Sequence, residues 1–359
     1  MKKSWKDLKV AIYYDWLNQW GGAEKVLLDI LSLFPQAQLF TLFCDPKNTP
    51  WLPSGLKIHS SFIKNSSPIF SPFYDIAAES FDLTAYDLVI ATTTNVGHSL
   101  LTSPKSLFVC YYHNFNRHLY QNQNKYLSLL LQFYQKIDHI YSRRPDYSFC
   151  NSETVQKRLS DTFGILAKVI YPGIDIQYFT PITSKPKNYF LIVNRLVPYK
   201  NIDYVIETFQ TLPYTLKIVG VGRDLPRLKR QAYPFKNIEL LGLVSNDSLR
   251  QLYQQSLALI SPQLEDFGLT SLEAQACGRP VIGFNLGGNS ETVINGKSGI
   301  LYSNQSCASL THALKLFFSS RLKPADCRQN SENFSRSTFM LNFKKEILSL
   351  CQTKKTISW

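Results

Sequence analysis

Two acids, Glu265 and Glu273, stand eight positions apart in Glu265-Asp266-Phe267-Gly268-Leu269-Thr270-Ser271-Leu272-Glu273. The apolar run Leu257–Ile260 leads in as a buried strand that ends at Pro262. The spacing of Leu269, Leu272, Ala276 and Cys277 predicts a helix stopping at Gly278, ahead of Pro280. One acid therefore lies on the loop after a strand, and the other two turns on, near the start of a helix. Between them, the backbone N–H groups of Phe267, Gly268, Leu269 and Thr270 open from a helix N-terminus, where the dipole favours an anion. A phosphate on those amides, with a carboxylate for a polyol on either side, is the layout expected for a nucleotide-sugar: sugar, diphosphate, ribose. The competing explanation for Glu273 is a first-turn acid that only complements the helix dipole.

Arg195 and Lys200 follow the apolar strand Tyr189–Val193, five residues apart across a turn at Pro198. Cations leaving a strand end can clamp a diphosphate, the guanidinium as a planar fork and the ammonium as a point charge. Taken alone, such a pair is more often two solvated surface cations, and both side chains are expected to face solvent without a ligand. Gly21 and Gly22 follow the first strand and open a helix, where glycine permits close backbone approach to a ligand, or simply marks a turn. His113 ends the strand Leu107–Tyr112; a lone histidine there is commonly structural or exposed. His118 lies five residues on, but two histidines without a third ligand do not make a metal site. The chain has no Asp-x-Asp pair for a divalent ion on a diphosphate, so no metal and no cofactor are predicted.

These residues need a scaffold, and the chain alternates strand and helix signals as a parallel α/β protein does. Strands are predicted at Val10–Tyr14, Gln38–Phe43, Leu88–Ala91, Leu107–Tyr112 and Tyr147–Cys150, with helices at Gly22–Leu33 and Lys125–Ile140. A second set follows at Tyr189–Val193, Leu216–Val219, Ile238–Leu241, Leu257–Ile260 and Val281–Phe284, closed by helices Ser306–Phe318 and Ser335–Leu350. Turn residues at Tyr171–Pro181 and the Pro-, Ser- and Lys-rich stretch Thr180–Lys187 mark the best linker. At 359 residues the chain suits two domains with one core each.

Composition narrows the function. Hydrophobic content of 44% and charged content of 18% describe a globular chain. The basic, polar start at Met1–Val10 is not a signal peptide, and the apolar stretch Tyr126–Tyr134 is too short to span a bilayer. Seven cysteines without a close pair suggest scattered core thiols in a reducing compartment, hence a cytoplasmic location. The net charge of +13 suits phosphates or an anionic membrane surface. No nucleic-acid-binding motif accompanies the basic runs Arg223–Arg230 and Lys315–Arg328.

Taken in order, several segments together resemble the family 4 retaining glycosyltransferases: Gly21-Gly22-Ala23-Glu24, Asn151-Ser152-Glu153, Tyr171-Pro172-Gly173-Ile174-Asp175, Asn194-Arg195-Leu196-Val197-Pro198-Tyr199-Lys200-Asn201, the two-Glu segment, and Gly278-Arg279-Pro280-Val281-Ile282-Gly283 running to Gly287-Gly288-Asn289-Ser290-Glu291. The resemblance covers nearly the whole chain. It implies the GT-B fold: two Rossmann-like domains facing across a cleft, 1–175 on the acceptor side and 176–334 holding the nucleotide-sugar, with the helix 335–359 returning to the first domain. It also implies that Arg195 and Lys200 hold the donor diphosphate and neutralise the leaving group. Gly21 and Gly22 then face the donor, and His113 borders the donor sugar. Glu265 would hold sugar hydroxyls, the amides of Phe267, Gly268 and Leu269 the diphosphate, and Glu273 the ribose.

A Tyr-His with a downstream Arg, here Tyr112, His113 and Arg117, is similar to O-antigen mannosyltransferases. The intervening Asn114-Phe115-Asn116 departs from that subgroup's Pro and Met. The resemblance tilts the donor to GDP-mannose and the acceptor to a glycan or lipid-linked saccharide, with peripheral membrane contact and no nucleic acid. The alternatives are a nucleotide-sugar epimerase or phosphorylase of similar architecture, and a non-catalytic sugar-nucleotide-binding protein.

Overall fold

A computed structural model describes residues 5–65, 68–121 and 128–354. The chain divides into two compact units, one formed by residues 1–171 with 339–359 and the other by 172–338. Residues 125–127 of the predicted helix Lys125–Ile140 lie outside the described residues, as do 355–359.

The first unit is a seven-stranded sheet built from β1 (Val10–Leu17), β2 (Gln38–Cys44), β3 (Ile58–Ser60), β4 (Leu88–Thr93), β5 (Leu107–Tyr112), β6 (Tyr147–Cys150) and β7 (Lys168–Val169). Its strand order is β3-β2-β1-β4-β5-β6-β7, and every pairing is parallel. Both faces are covered, which is why β4 and β5 are buried at every position and do not alternate apolar with exposed polar residues. Along β1, Val10, Ile12 and Tyr14 enter one core while Ala11 and Tyr13 enter the other, as the two-residue period of a strand requires.

The last helix, Arg336–Thr353, belongs to the first unit from Phe339 onward. Phe339, Phe343, Ile347 and Cys351 recur every fourth residue, and all are buried in the core under β1, β4 and β5. Tyr111 meets the rings of Phe339 and Phe343 edge-on at 6.1 and 6.0 Å. Each fully buried phenylalanine contributes roughly 1.5–3 kcal/mol, so apolar burial suffices to hold the helix there.

The second unit contains β8 (Tyr189–Val193), β9 (Thr215–Val219), β10 (Ile238–Gly242), β11 (Ala258–Ser261), β12 (Val281–Phe284) and β13 (Gly299–Tyr302). The order β10-β9-β8-β11-β12-β13 is again all parallel. It is the 3-2-1-4-5-6 order of a doubly wound nucleotide-binding sheet, whose direction of growth reverses between β8 and β11. In the first unit the corresponding reversal lies between β1 and β4.

Thr180–Lys187 is an exposed loop inside this unit rather than the connection between units. The chain before it is already docked. Ile174 pairs with Ser335, and Arg328 donates to the carbonyls of Ile176 and Phe179 at 2.8 Å each. Its Pro- and Ser-rich composition records exposure, which a surface loop and a linker share. All seven cysteines are unbridged, and five of them are buried.

Candidate active site

Most of the predicted residues of the second unit lie on loops that leave its sheet at the carboxyl edge, at and beside the reversal of strand order, while Leu269 and Glu273 lie in the helix that follows. The loop after β8 carries Arg195, which is exposed. It then turns through Pro198–Lys200 into Asn201, a residue with φ of 52° in the left-handed region that asparagine tolerates. The loop after the adjacent β11 carries Gln263 and Glu265.

These two loops meet. Lys200 Nζ donates to Glu265 Oε2 at 2.9 Å, with side-chain exposures of only 13% and 17%. The other carboxylate oxygen, Oε1, accepts from the side-chain amide of Gln263, which is fully buried. The expectation that Lys200 faces solvent without a ligand is therefore corrected. Neighbouring parallel strands deliver their loops to one edge, and a half-buried ammonium beside a half-buried carboxylate pairs with it because water no longer screens either charge.

The helix Leu269–Ala276 starts behind Gly268, whose φ of 97° suits glycine. Glu273 is its fifth residue, and no acid occupies its first turn, so complementing the helix dipole does not account for Glu273. The side chain is buried at 2% exposure, and one carboxylate oxygen accepts from Tyr253 Oη at 2.9 Å. Burial and the neighbouring Glu273 charge push the Tyr253 phenol well up, and they push the Cys277 thiol up to about 12.

Backbone contact fixes the shape of the Glu265–Leu269 loop. Gly288 N–H donates to the Glu265 carbonyl at 2.8 Å. A Cβ on Gly287 would sit 2.2 Å from the Glu265 carbonyl oxygen, and one on Gly288 would sit 2.0 Å from that of Phe267. Asn289 ties the arrangement together, accepting from Ser271 Oγ at 3.1 Å and donating to the Ser261 carbonyl at 3.3 Å. On the other side, Gly220 and Gly222 abut the loop that holds Arg195; added Cβ atoms would fall 1.8 Å from the Asn194 carbonyl oxygen and 2.1 Å from that of Leu196.

In the first unit, Gly21 precedes the helix Gly22–Leu33 with an extended φ of −172°. Tyr14 Oη donates to the buried Glu24 at 2.7 Å in the first turn of that helix. Asp15, completely buried near the end of β1, accepts from Thr93 Oγ1 at 2.8 Å and from the Thr94 and Val96 N–H groups at 2.6 and 3.2 Å. Burial raises its carboxyl against those hydrogen bonds. His113 is 6% exposed; its Nε2 lies 2.8 Å from Thr92 Oγ1, and its carbonyl accepts from Asn151.

The structure thus joins Lys200 to Glu265 directly, and leaves Arg195 exposed and Glu273 enclosed. Gln263, Gly220, Gly222 and Asp15 were missed in the sequence, and Asn289 was noted only as part of the segment Gly287-Gly288-Asn289-Ser290-Glu291. Gly220-Val221-Gly222 at the end of a predicted strand was a legible signal for close backbone approach. Nothing local marks Gln263 or Asp15.

Comparison with known proteins bears on both units. Residues 20–178 match the family described as Glycosyltransferase Family 4, and residues 177–334 the family described as Glycosyl transferases group 1. The chain belongs to glycosyltransferase family 4. D-rhamnosyltransferase WbpZ of Pseudomonas aeruginosa is 25% identical to this glycosyltransferase over 346 residues, covering 89% of this chain and 88% of that one. Alpha-1,3/1,6-mannosyltransferase ALG2 of Dictyostelium discoideum is 24% identical over 374 residues, covering 84% and 87%. An uncharacterized glycosyltransferase of Methanocaldococcus jannaschii is 30% identical over 161 residues, and the match spans less than half of each chain, 44% and 45%.

Among solved structures, sucrose-phosphate synthase from Thermosynechococcus elongatus superposes with a TM-score of 0.76 at 15% identity, covering 96% of this chain and 100% of that one. Anabaena HepE in complex with UDP and glucose superposes with a TM-score of 0.72 at 20% identity, covering 95% and 100%. The fold of this glycosyltransferase is GT-B.

Proposed function

We propose that the protein transfers a hexosyl group from a nucleoside-diphosphate sugar to an acceptor hydroxyl, with retention at the anomeric carbon. The observation that carries this reading is the Lys200–Glu265 pair, steadied by Gln263, at the edge where the strand order reverses. Donor binding exchanges that pair for new partners. Lys200 and Arg195 take the diphosphate, and Glu265 turns its charge to the sugar hydroxyls and the oxocarbenium-like carbon. The amides of Phe267, Gly268 and Leu269 receive phosphate oxygens at the helix start. Glu273, with one oxygen held by Tyr253, takes the ribose hydroxyls. Gly21 and Gly22 approach the donor, and His113 borders the sugar.

The bond from C1 to the departing phosphate oxygen breaks as the acceptor oxygen bonds C1 on the same face. The acceptor proton passes to the departing phosphate oxygen, so no protein nucleophile is needed. Side-chain cations and the helix start meet the developing charge without a divalent ion. Mannose from GDP-mannose is the favoured donor, on the similarity to a mannosyl- and a rhamnosyltransferase, and a glycan or lipid-linked saccharide is the favoured acceptor.

Labelled nucleotide-sugars test the reaction. Release of free nucleotide, increased by an acceptor, supports transfer, whereas interconversion of epimers or no turnover overturns it. A thermal-shift panel of GDP, UDP and ADP identifies the base.

Titration calorimetry separates the two acids. Glu273→Gln is expected to weaken binding of the bare nucleoside diphosphate, while Glu265→Gln leaves that affinity nearly unchanged and lowers transfer. Equal losses would refute the division between sugar and ribose. Gln263→Ala is expected to lower turnover about tenfold or more with little change in nucleotide affinity, because the Glu265 carboxylate loses a fixed partner. A matching loss of nucleotide affinity would instead mark Gln263 as structural.

The same function places the protein peripherally on the cytoplasmic face of an anionic membrane. The net charge of +13 supports this, each cation near such a surface contributing about 1 kcal/mol. Liposome flotation is expected to show binding with anionic lipid at low salt that fades at high salt.

A further inference from the structure

The helix Ser128–Tyr141 presents Leu129, Phe133 and Ile140 outward at exposures of 81%, 59% and 65%. Spacings of four and seven residues place all three on one face. Phe73 and Ile76, 49% and 54% exposed, lie at the start of the helix Tyr74–Glu79. The two helices are tied together where Arg144 pairs with Glu79 at 2.6 Å and stacks over Tyr141 at 4.0 Å.

Cations outnumber acids around these side chains. Among the described residues of 112–145 are Arg117, Lys136, Arg143 and Arg144 against a single acid, Asp138. Asp138 points inward, buried and paired with His98 Nε2 at 2.7 Å. Residues 55–79 contribute Lys57 and Lys64 against Asp75, which is only partly exposed, and Glu79, whose charge is met by Arg144.

We propose that this face is the surface by which the protein lies on an anionic bilayer, with Leu129, Phe133, Ile140, Phe73 and Ile76 entering the headgroup boundary and Lys136 and Lys64 meeting lipid phosphates. The proposal rests on the membrane reading above and assigns it to particular side chains. A row of apolar residues beside cations, on a helix of 14 residues, matches an interfacial helix and is too short to span. A second copy of the chain is a poor occupant, since a two-fold contact would set cation against cation.

The test is flotation of the full chain with vesicles of phosphatidylcholine and phosphatidylglycerol at low salt. Phe133→Glu/Ile140→Glu is compared with Leu341→Glu, a change at a site 68% exposed on the C-terminal helix. The double variant is expected to lose about tenfold or more of its vesicle-bound fraction. Nucleotide release in vesicle-free solution should stay unchanged, and Leu341→Glu should bind as the parent does. Equal binding by the double variant overturns this face and leaves the membrane reading standing. No binding by the parent overturns both. A parent that is dimeric by light scattering, does not float and becomes monomeric in the double variant assigns the face to a second copy and also overturns the proposal.

Discussion

Arg195→Ala and Lys200→Ala are each expected to lower turnover by about a hundredfold or more, as loss of one preorganised charge donor does in other enzymes. The two variants should differ in stability. Arg195 is exposed, so its removal leaves the unfolding midpoint where it was. Lys200 neutralises Glu265 inside a half-buried pair, so Lys200→Ala strands a carboxylate that keeps only Gln263 from that grouping, and the midpoint falls. Adding Glu265→Gln to Lys200→Ala should restore the midpoint without restoring activity. Steady-state rates and thermal melts of the four proteins check this. Near-normal turnover in either single variant would remove the diphosphate clamp.

Gly288→Ala is expected to destabilise the protein by about 2–3 kcal/mol and to weaken nucleoside-diphosphate binding together with it. The new Cβ would meet the Phe267 carbonyl oxygen at 2.0 Å, and that oxygen is backbone with no rotamer to change. Relief requires moving the loop whose amides are assigned to the diphosphate. Gly296→Ala is the comparison. Gly296 has a φ of +76° and nothing within 4 Å of the added Cβ, so its cost is confined to backbone strain of about 1–2 kcal/mol, and nucleotide affinity should hold. Denaturant melts with calorimetry on both variants decide the matter; parental affinity in a destabilised Gly288→Ala would detach this glycine from the binding loop.

Much of the scaffold was legible because strands buried on both faces must be apolar throughout. Leu107–Tyr112, Tyr147–Cys150, Tyr189–Val193 and Val281–Phe284 run over the residues predicted for them. Ile58–Ser60 and Lys168–Val169 were not anticipated, since edge strands of three and two residues carry too little apolar sequence to show a period. Gly299–Tyr302 was missed as well, with a glycine at its start.

The sequence by itself determined the ten longer or more apolar strands and which loops carry the chemistry, because backbone preference and apolar period act over a few residues. It also placed Glu265, Gly268 and Lys200 on loops that follow strands or open helices. Only the tertiary structure decided that Lys200 and Glu265, 65 positions apart, share a hydrogen bond, that Gln263 holds the second carboxylate oxygen, and that Tyr253 encloses Glu273. The first of these contacts follows from β8 lying against β11, and a strand's neighbour is selected by the packing of the whole sheet.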